Sequence, residues 1–212
     1  MRVKVLLFAA FLVIGFGCQT TYYKGWELFG KEKRHLLKDN VEKARDEQEK
    51  ASEQFKDALT RVKEIYGFEG GDLEDFYNKL SDDYAACERR AGAVEERIDT
   101  VEEIASDLFN EWENEIDDIS NAQLKAKSRQ SLEDTKVRYA RLSDAMVKAR
   151  DRMQPALTHL QDYVLYLKHN LNAQAIGALK REVDDIEVEV AALIRDMSKS
   201  IEEADQFLKT LN

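Results

Sequence analysis

The sequence predicts an all-α fold, an elongated antiparallel four-helix bundle packed through coiled-coil heptads. Three observations carry this. One Pro and nine Gly among 212 residues leave too few breakers for a many-turned β fold and ample uninterrupted chain for long helices. From Lys31 onward, apolar residues recur at alternating spacings of three and four, the signature of helices packed along a seam. The pattern breaks only at short turn-like stretches, and helices joined by short turns must run antiparallel. Hydrophobic residues make up 43% of the chain, enough for a core and too many for wholesale disorder. A formal net charge of -10 disfavours a phosphate-binding surface and hence a nucleic-acid partner. Two Cys exclude a disulfide scaffold.

Residues 1–17 read as a signal peptide: Arg2 and Lys4 form a basic start, and an uncharged apolar run follows to Gly17. The run is too short to span a bilayer, which takes about 20 apolar residues. Cys18 closes it, and the arrangement resembles a bacterial lipoprotein signal, in which the Cys after the cut is acylated. Gly15 and Phe16 stand where such signals favour Leu and a small residue. The alternatives are a protein secreted to the periplasm and an anchor that keeps its signal. Two or three acyl chains on Cys18 would anchor the protein stably. Gln19 in place of Asp implies, by the same resemblance, the outer membrane. Removal of residues 1–17 leaves 30 bases against 42 acids.

Residues 18–30 then form a lipidated Cys and a tether without a helical stripe. Tyr22, Tyr23, Trp26 and Phe29 suit the lipid headgroup level, where amphipathic rings are favoured, or fold back on the bundle end. The bundle is expected over 31–212, with helices at about 31–66, 72–119, 121–169 and 172–211.

The first seam runs Leu37, Val41, Ala44, Gln48, Ala51, Phe55, Ala58, Val62, Ile65, with Gln48 its one polar member. Gly67 is expected to end that helix in the left-handed conformation. Asp72 should cap the next, with Glu74 and Asp75 in its first turn. The second seam runs from Leu73 and Tyr77 through Leu80, Tyr84, Cys87, Ala91, Val94, Ile98, Val101 and Ala105 to Leu108 and Trp112. Ser120, three residues before Gln123, fits a capping box for the third helix. Its seam runs from Leu132 to Leu167 in phase across Pro155, so a bend and not a break is expected there. Asn170 and Asn172 mark the last turn, and the fourth seam runs from Ile176 to Leu211. A rod that dimerises, with the last two helices continuous, is the alternative.

Chemistry is sparse. Of His35, His159 and His169, only His35 completes a Glu-x-x-His pair, with Glu32, where a di-iron bundle needs two. No catalytic residue, metal site or cofactor is expected. The Gly67–Gly71 loop has no Lys and precedes an acid, so it is not a phosphate-binding P-loop. Cys87, on a seam, reads as a small buried hydrophobe; the sharper reading is a thiol that cross-links two rods in an oxidising periplasm. Acids Glu111, Glu113, Glu115, Asp117 and Asp118 crowd the end of helix two, and Lys125, Lys127 and Arg129 the start of helix three. Each cluster opposes its own helix dipole, but a hairpin at Ser120 brings the two face to face. A site for a cation or a basic partner at the tip is the functional reading of this cluster. The loop residues Tyr66, Gly67, Phe68, Gly70 and Gly71 form a candidate partner-binding loop; otherwise Phe68 plugs the bundle end.

The stretch LFGKEKRHLLKDNVEKARDEQEKASEQFKDALTRVKEIYGFEGGDLEDFY, residues 28–77, resembles an uncharacterised domain-of-unknown-function family, number 2959, of gammaproteobacterial coiled-coil lipoproteins. The resemblance extends over residues 25–211 and implies helical architecture and a cell-envelope location, with no site residues to carry over. The expected function is that of a lipid-anchored periplasmic protein, facing the periplasm from the outer membrane, that binds other proteins or spaces envelope components. It is not expected to be an enzyme. The rivals are a metal- or ligand-binding bundle and a DNA-repair-associated coiled coil without a nucleotide site.

Overall fold

The computed structural model describes residues 33–68 and 72–211. These form four long helices: α1 (Lys33–Lys63), α2 (Leu73–Asp118), α3 (Ala122–His169) and α4 (Ala173–Thr210). α1 lies beside α2 and α4, and α3 beside the same two, so the helices follow one another around a single core. With 48 residues, α3 is about 72 Å long at ~1.5 Å per residue.

The seams are where the heptads put them. All nine predicted positions of α1 are buried, Gln48 included. So are Ile176, Leu179, Val183, Ile186, Val190, Leu193, Met197, Ser200, Ala204, Phe207 and Leu211 in α4 and the segment that ends it. Of the predicted α3 seam only Tyr139 is half-buried, and its ring packs edge-on between Phe109 and Phe207 at 5.4 and 5.9 Å. α2 departs at both ends. Its middle, from Leu80 to Ala105, keeps the predicted row apart from half-buried Tyr84. Toward the start Leu73 is half-buried and Phe76 is buried where Tyr77 was expected; toward the end Phe109 is buried in place of Leu108, Trp112 is half-buried, and Ile116 is the next buried residue. The buried row thus moves one residue earlier at the start and one later at the end. A helix of 3.6 residues per turn drifts about 20° per heptad against a 3.5-residue repeat, in that direction.

The ends of the helices correct two expectations. Gly67 does not take a left-handed backbone. Instead α1 tightens into a 3-10 turn, Glu64–Gly67, closed by the Phe68 N–H on the Ile65 carbonyl at 3.3 Å. Phe68 then leaves in extended conformation, φ -74° and ψ 106°. The tight turn keeps Ile65 fully buried, so the last seam residue stays in the core as the helix ends. The cap of α3 is Asn121 and not Ser120: its side chain accepts from the Gln123 and Leu124 N–H groups at 3.0 and 3.1 Å. That places Gln123 second in the helix, one position short of where a capping box needs it.

Asp72 caps α2, its carboxylate accepting from the Asp75 N–H at 3.0 Å. α3 continues through Pro155 without a break. Asn172 caps α4 by accepting from Gln174 and Ala175 N–H groups at 3.0 and 3.1 Å. Asn170 donates back to the Tyr166 carbonyl at 2.9 Å. The two Asn therefore separate α3 from α4, which replaces the continuous-helix rod with a hairpin.

Candidate functional site

At the end where α1 turns into α2, two of the candidate loop residues are held by the bundle. Tyr66 is 48% exposed, yet its hydroxyl donates to Asp184 Oδ1 of α4 at 3.0 Å. Desolvation, then the Asp184 and Glu187 carboxylates, hold its phenol above the ordinary value. Phe68 is half-buried and tilts against Phe76 with ring centroids 6.0 Å apart. Gly67 is exposed, with open space around it. Gly70 and Gly71 lie outside the described residues, as do Cys18, Tyr22, Tyr23, Trp26 and Phe29.

At the opposite end the α2–α3 hairpin brings the two charge clusters together. Asp117 receives Lys125 at 3.3 Å and Arg129 at 3.6 Å, while Glu113 pairs with Lys136 at 3.5 Å. Lys125 also donates to the Asp117 carbonyl at 3.0 Å, satisfying one of the acceptors left free at the end of α2. Trp112 donates from Nε1 to Ser128 Oγ across the hairpin at 3.0 Å. Each pair is exposed and worth under about 1 kcal/mol, but together they offset the helix-dipole penalty both clusters carry.

Between these ends α2 and α3 flank an open groove of about 360 Å³. Ala91, Met153 and Leu157 give it an apolar floor; Glu88, Glu95 and Asp151 stand at its rim. Gly92 is the only glycine of α2, and a Cβ there would meet nothing within 4 Å. Pro155 lies one residue beyond Gln154 of the lining and has no N–H to give the Asp151 carbonyl. The signal for this groove in the sequence is a glycine and a proline inside two long helices; the proline reads there only as a bend.

Cys87 is fully buried, and its thiol donates to the Gln54 carbonyl of α1 at 3.5 Å. Burial, then the Asp83 and Asp57 carboxylates, push it up to about 12. A thiol so placed lies in the core, where its seam position led one to expect it, and burial counts against the cross-linking reading. His35 and His169 are exposed and His159 is half-buried. No group of three or more metal-ligating side chains converges among the described residues, and no helix there is long and apolar enough to cross a membrane.

A contact the sequence did not disclose joins α3 to α4. Asp196, with only 12% of its side chain exposed, accepts from Lys148 at 2.8 Å and from Arg152 at 3.1 Å. Burial opposes its charge, but the two bases prevail and hold the carboxyl below its ordinary value.

The architecture has a counterpart among protein families. The model of the family described as Protein of unknown function (DUF2959) matches residues 22–211. The chain belongs to this family. The match takes in all four helices, both hairpin ends and the groove. No curated protein matches the chain.

Proposed function

We propose that this protein is a lipid-anchored, periplasm-facing coiled-coil protein of the outer membrane, of the gammaproteobacterial lipoprotein kind, that binds proteins or spaces components of the cell envelope. The observation that carries the reading is Cys18, which ends an apolar run at the length of a signal peptide and precedes a polar stretch. Residues 1–17 are removed, Cys18 is acylated, and the chain after it leads into a bundle with a helix about 72 Å long. The seams take up most of the large apolar side chains, and the outward faces carry ion pairs such as Lys63–Glu187 and Lys79–Asp75. Such a body suits a mechanical or docking task better than catalysis, and we assign it no reaction. Protein partners in the periplasm fit this reading, and nucleic acid does not, given the net charge of -10.

The test is Cys18→Ala in cells, read by membrane fractionation, intact mass and incorporation of a labelled fatty acid. The expected result is a labelled wild-type protein in the outer-membrane fraction and an unlabelled variant that leaves it. A variant that pellets equally, with the signal shown by mass to be removed, overturns the lipid anchor. Cross-linking in whole cells then reports the protein partners; a wild-type protein that captures none would leave spacing as its task.

A further inference from the structure

We propose that the bundle core holds a buried water-binding site between α1 and α4, built from the Gln48 carboxamide and the Ser200 hydroxyl. Both residues are fully buried. Gln48 Nε2, Gln48 Oε1 and Ser200 Oγ make no hydrogen bond to any other group of the protein. The polar seam residues of α3 differ: Thr135 donates its hydroxyl to the Ser131 carbonyl at 2.8 Å, so its polarity is absorbed by its own helix, and Tyr139, whose buried hydroxyl also makes no hydrogen bond, packs on Phe207, seven residues along α4 from Ser200.

Gln48 and Ser200 occupy one level of the bundle. Arg45–Asp205 at 3.0 Å, Lys63–Glu187 at 2.6 Å and Tyr66–Asp184 at 3.0 Å hold α1 and α4 in one antiparallel register. In that register Gln48 is level with Glu202, about half a turn from Ser200. As seam members, both face the core. Three of their four seam neighbours, Ala44, Ala51 and Ala204, are small and buried, and the fourth is Met197.

The chemistry selects the ligand. A buried polar group without a partner costs roughly 1–3 kcal/mol, and native proteins relieve such groups with internal water that makes two to four hydrogen bonds. The site offers amide donors, an amide acceptor and a hydroxyl that does both, and none of them carries charge. Water, with two donors and two lone pairs, matches that set; an ion or an apolar molecule does not. The site also has a structural role. α1 and α4 are neighbours that no loop joins, and a polar residue at a core position specifies helix register. A slip of one heptad would put the carboxamide against apolar side chains, with no hydroxyl opposite it.

The experiment counts long-lived internal waters by oxygen-17 relaxation dispersion on the full chain in detergent, for the wild type, Gln48→Leu, Ser200→Ala and the double variant. Gln48→Leu keeps the side-chain volume and removes two of the three unsatisfied atoms, leaving Ser200 Oγ, so it is expected to fold with unchanged or raised thermal stability. The expected result is a count that falls by at least one in Gln48→Leu and falls no further when Ser200→Ala is added. An unchanged count in folded Gln48→Leu overturns the proposal. A crystal structure with a direct Gln48–Ser200 bond and no water against either also overturns it, because the pair would then satisfy itself. Neither result depends on whether Cys18 is acylated.

Discussion

Ile98 lies at the middle of α2, fully buried, between Val94 and Val101 on the row that the helix keeps in the core. Ile98→Ala removes side-chain volume from that row, and truncations of this kind cost about 2–5 kcal/mol, the spread reflecting how far the site can collapse. For a bundle of this size each 1 kcal/mol lowers the melting temperature by about 2–4 °C, so a cost near 3 kcal/mol appears as roughly 6–12 °C. Ile98→Asp buries a carboxylate as well, adding several kcal/mol unless it is paired or protonated. Against a total stability of about 5–15 kcal/mol, that removes most of the margin. The control is Val188→Asp on α4, where the native side chain is 68% exposed and the expected change is within about 0.5 kcal/mol. The assay is thermal unfolding of the full chain in detergent, followed by circular dichroism at a helical band. An Ile98→Asp protein that melts with the wild type, or a Val188→Asp protein that falls as far, would refute the assignment of inner and outer faces.

Other consequences follow from the caps, the thiol and the end of the bundle. Asn121→Ala should cost about 0.5–2 kcal/mol in urea unfolding, whereas Ser120→Ala should stay within about 0.5, because only Asn121 holds the first amides of α3; the reverse order would restore the capping box at Ser120. Cys87, studied with Cys18→Ser so that one thiol is read, should react with a thiol reagent at pH 8 far more slowly in native protein than in urea. Its thiol ionises near 9.0 when unfolded and about 12 when folded, so its stabilising share is complete below pH 9 and lost as pH rises toward 12; Cys87→Ala should make alkaline unfolding shallower, and an unchanged slope would count against deep burial. Phe68→Ser loses a ring that packs on Phe76 and should lower the melting temperature while the cross-linked partners stay the same; lost partners with an unchanged melt would make the loop a docking site.

How much could be read in advance differs along the chain. The seams of α1 and α4 were fully legible, because a residue every three or four positions cannot be apolar over five heptads unless that face is buried. The ends of α2 were not, since the pattern there offers two adjacent apolar residues, Phe76 with Tyr77 and Leu108 with Phe109, and the choice between them depends on accumulated twist. The cap at Asn121 was not legible, because Ser120 beside it offered a capping-box spacing to Gln123; in the folded turn the Asn121 side chain is the one that reaches the first amides of α3. The facing charges at the hairpin were legible as a conflict with the helix dipole that only a close turn relieves. Asp196 was not: its two bases lie 44 and 48 residues earlier, on the neighbouring helix.

By itself the sequence determined the class, the number of helices and which face of each is inward, because local periodicity and turn chemistry act within a few residues and need no partner to be read. It also marked Gln48 as the polar exception on its seam and Cys87 as a core residue. The tertiary structure decided what lies opposite what. That Gln48 lies about half a turn from the level of Ser200, that Asp196 lies between Lys148 and Arg152, and that Gly92 shares a groove with Met153 and Leu157 all depend on the register between helices. A heptad repeats every seven residues and fits equally well after a slip of one repeat. Register is set instead by the sum of loop lengths, ion pairs and unlike side chains along the whole contact, and that sum exists only once the helices are side by side.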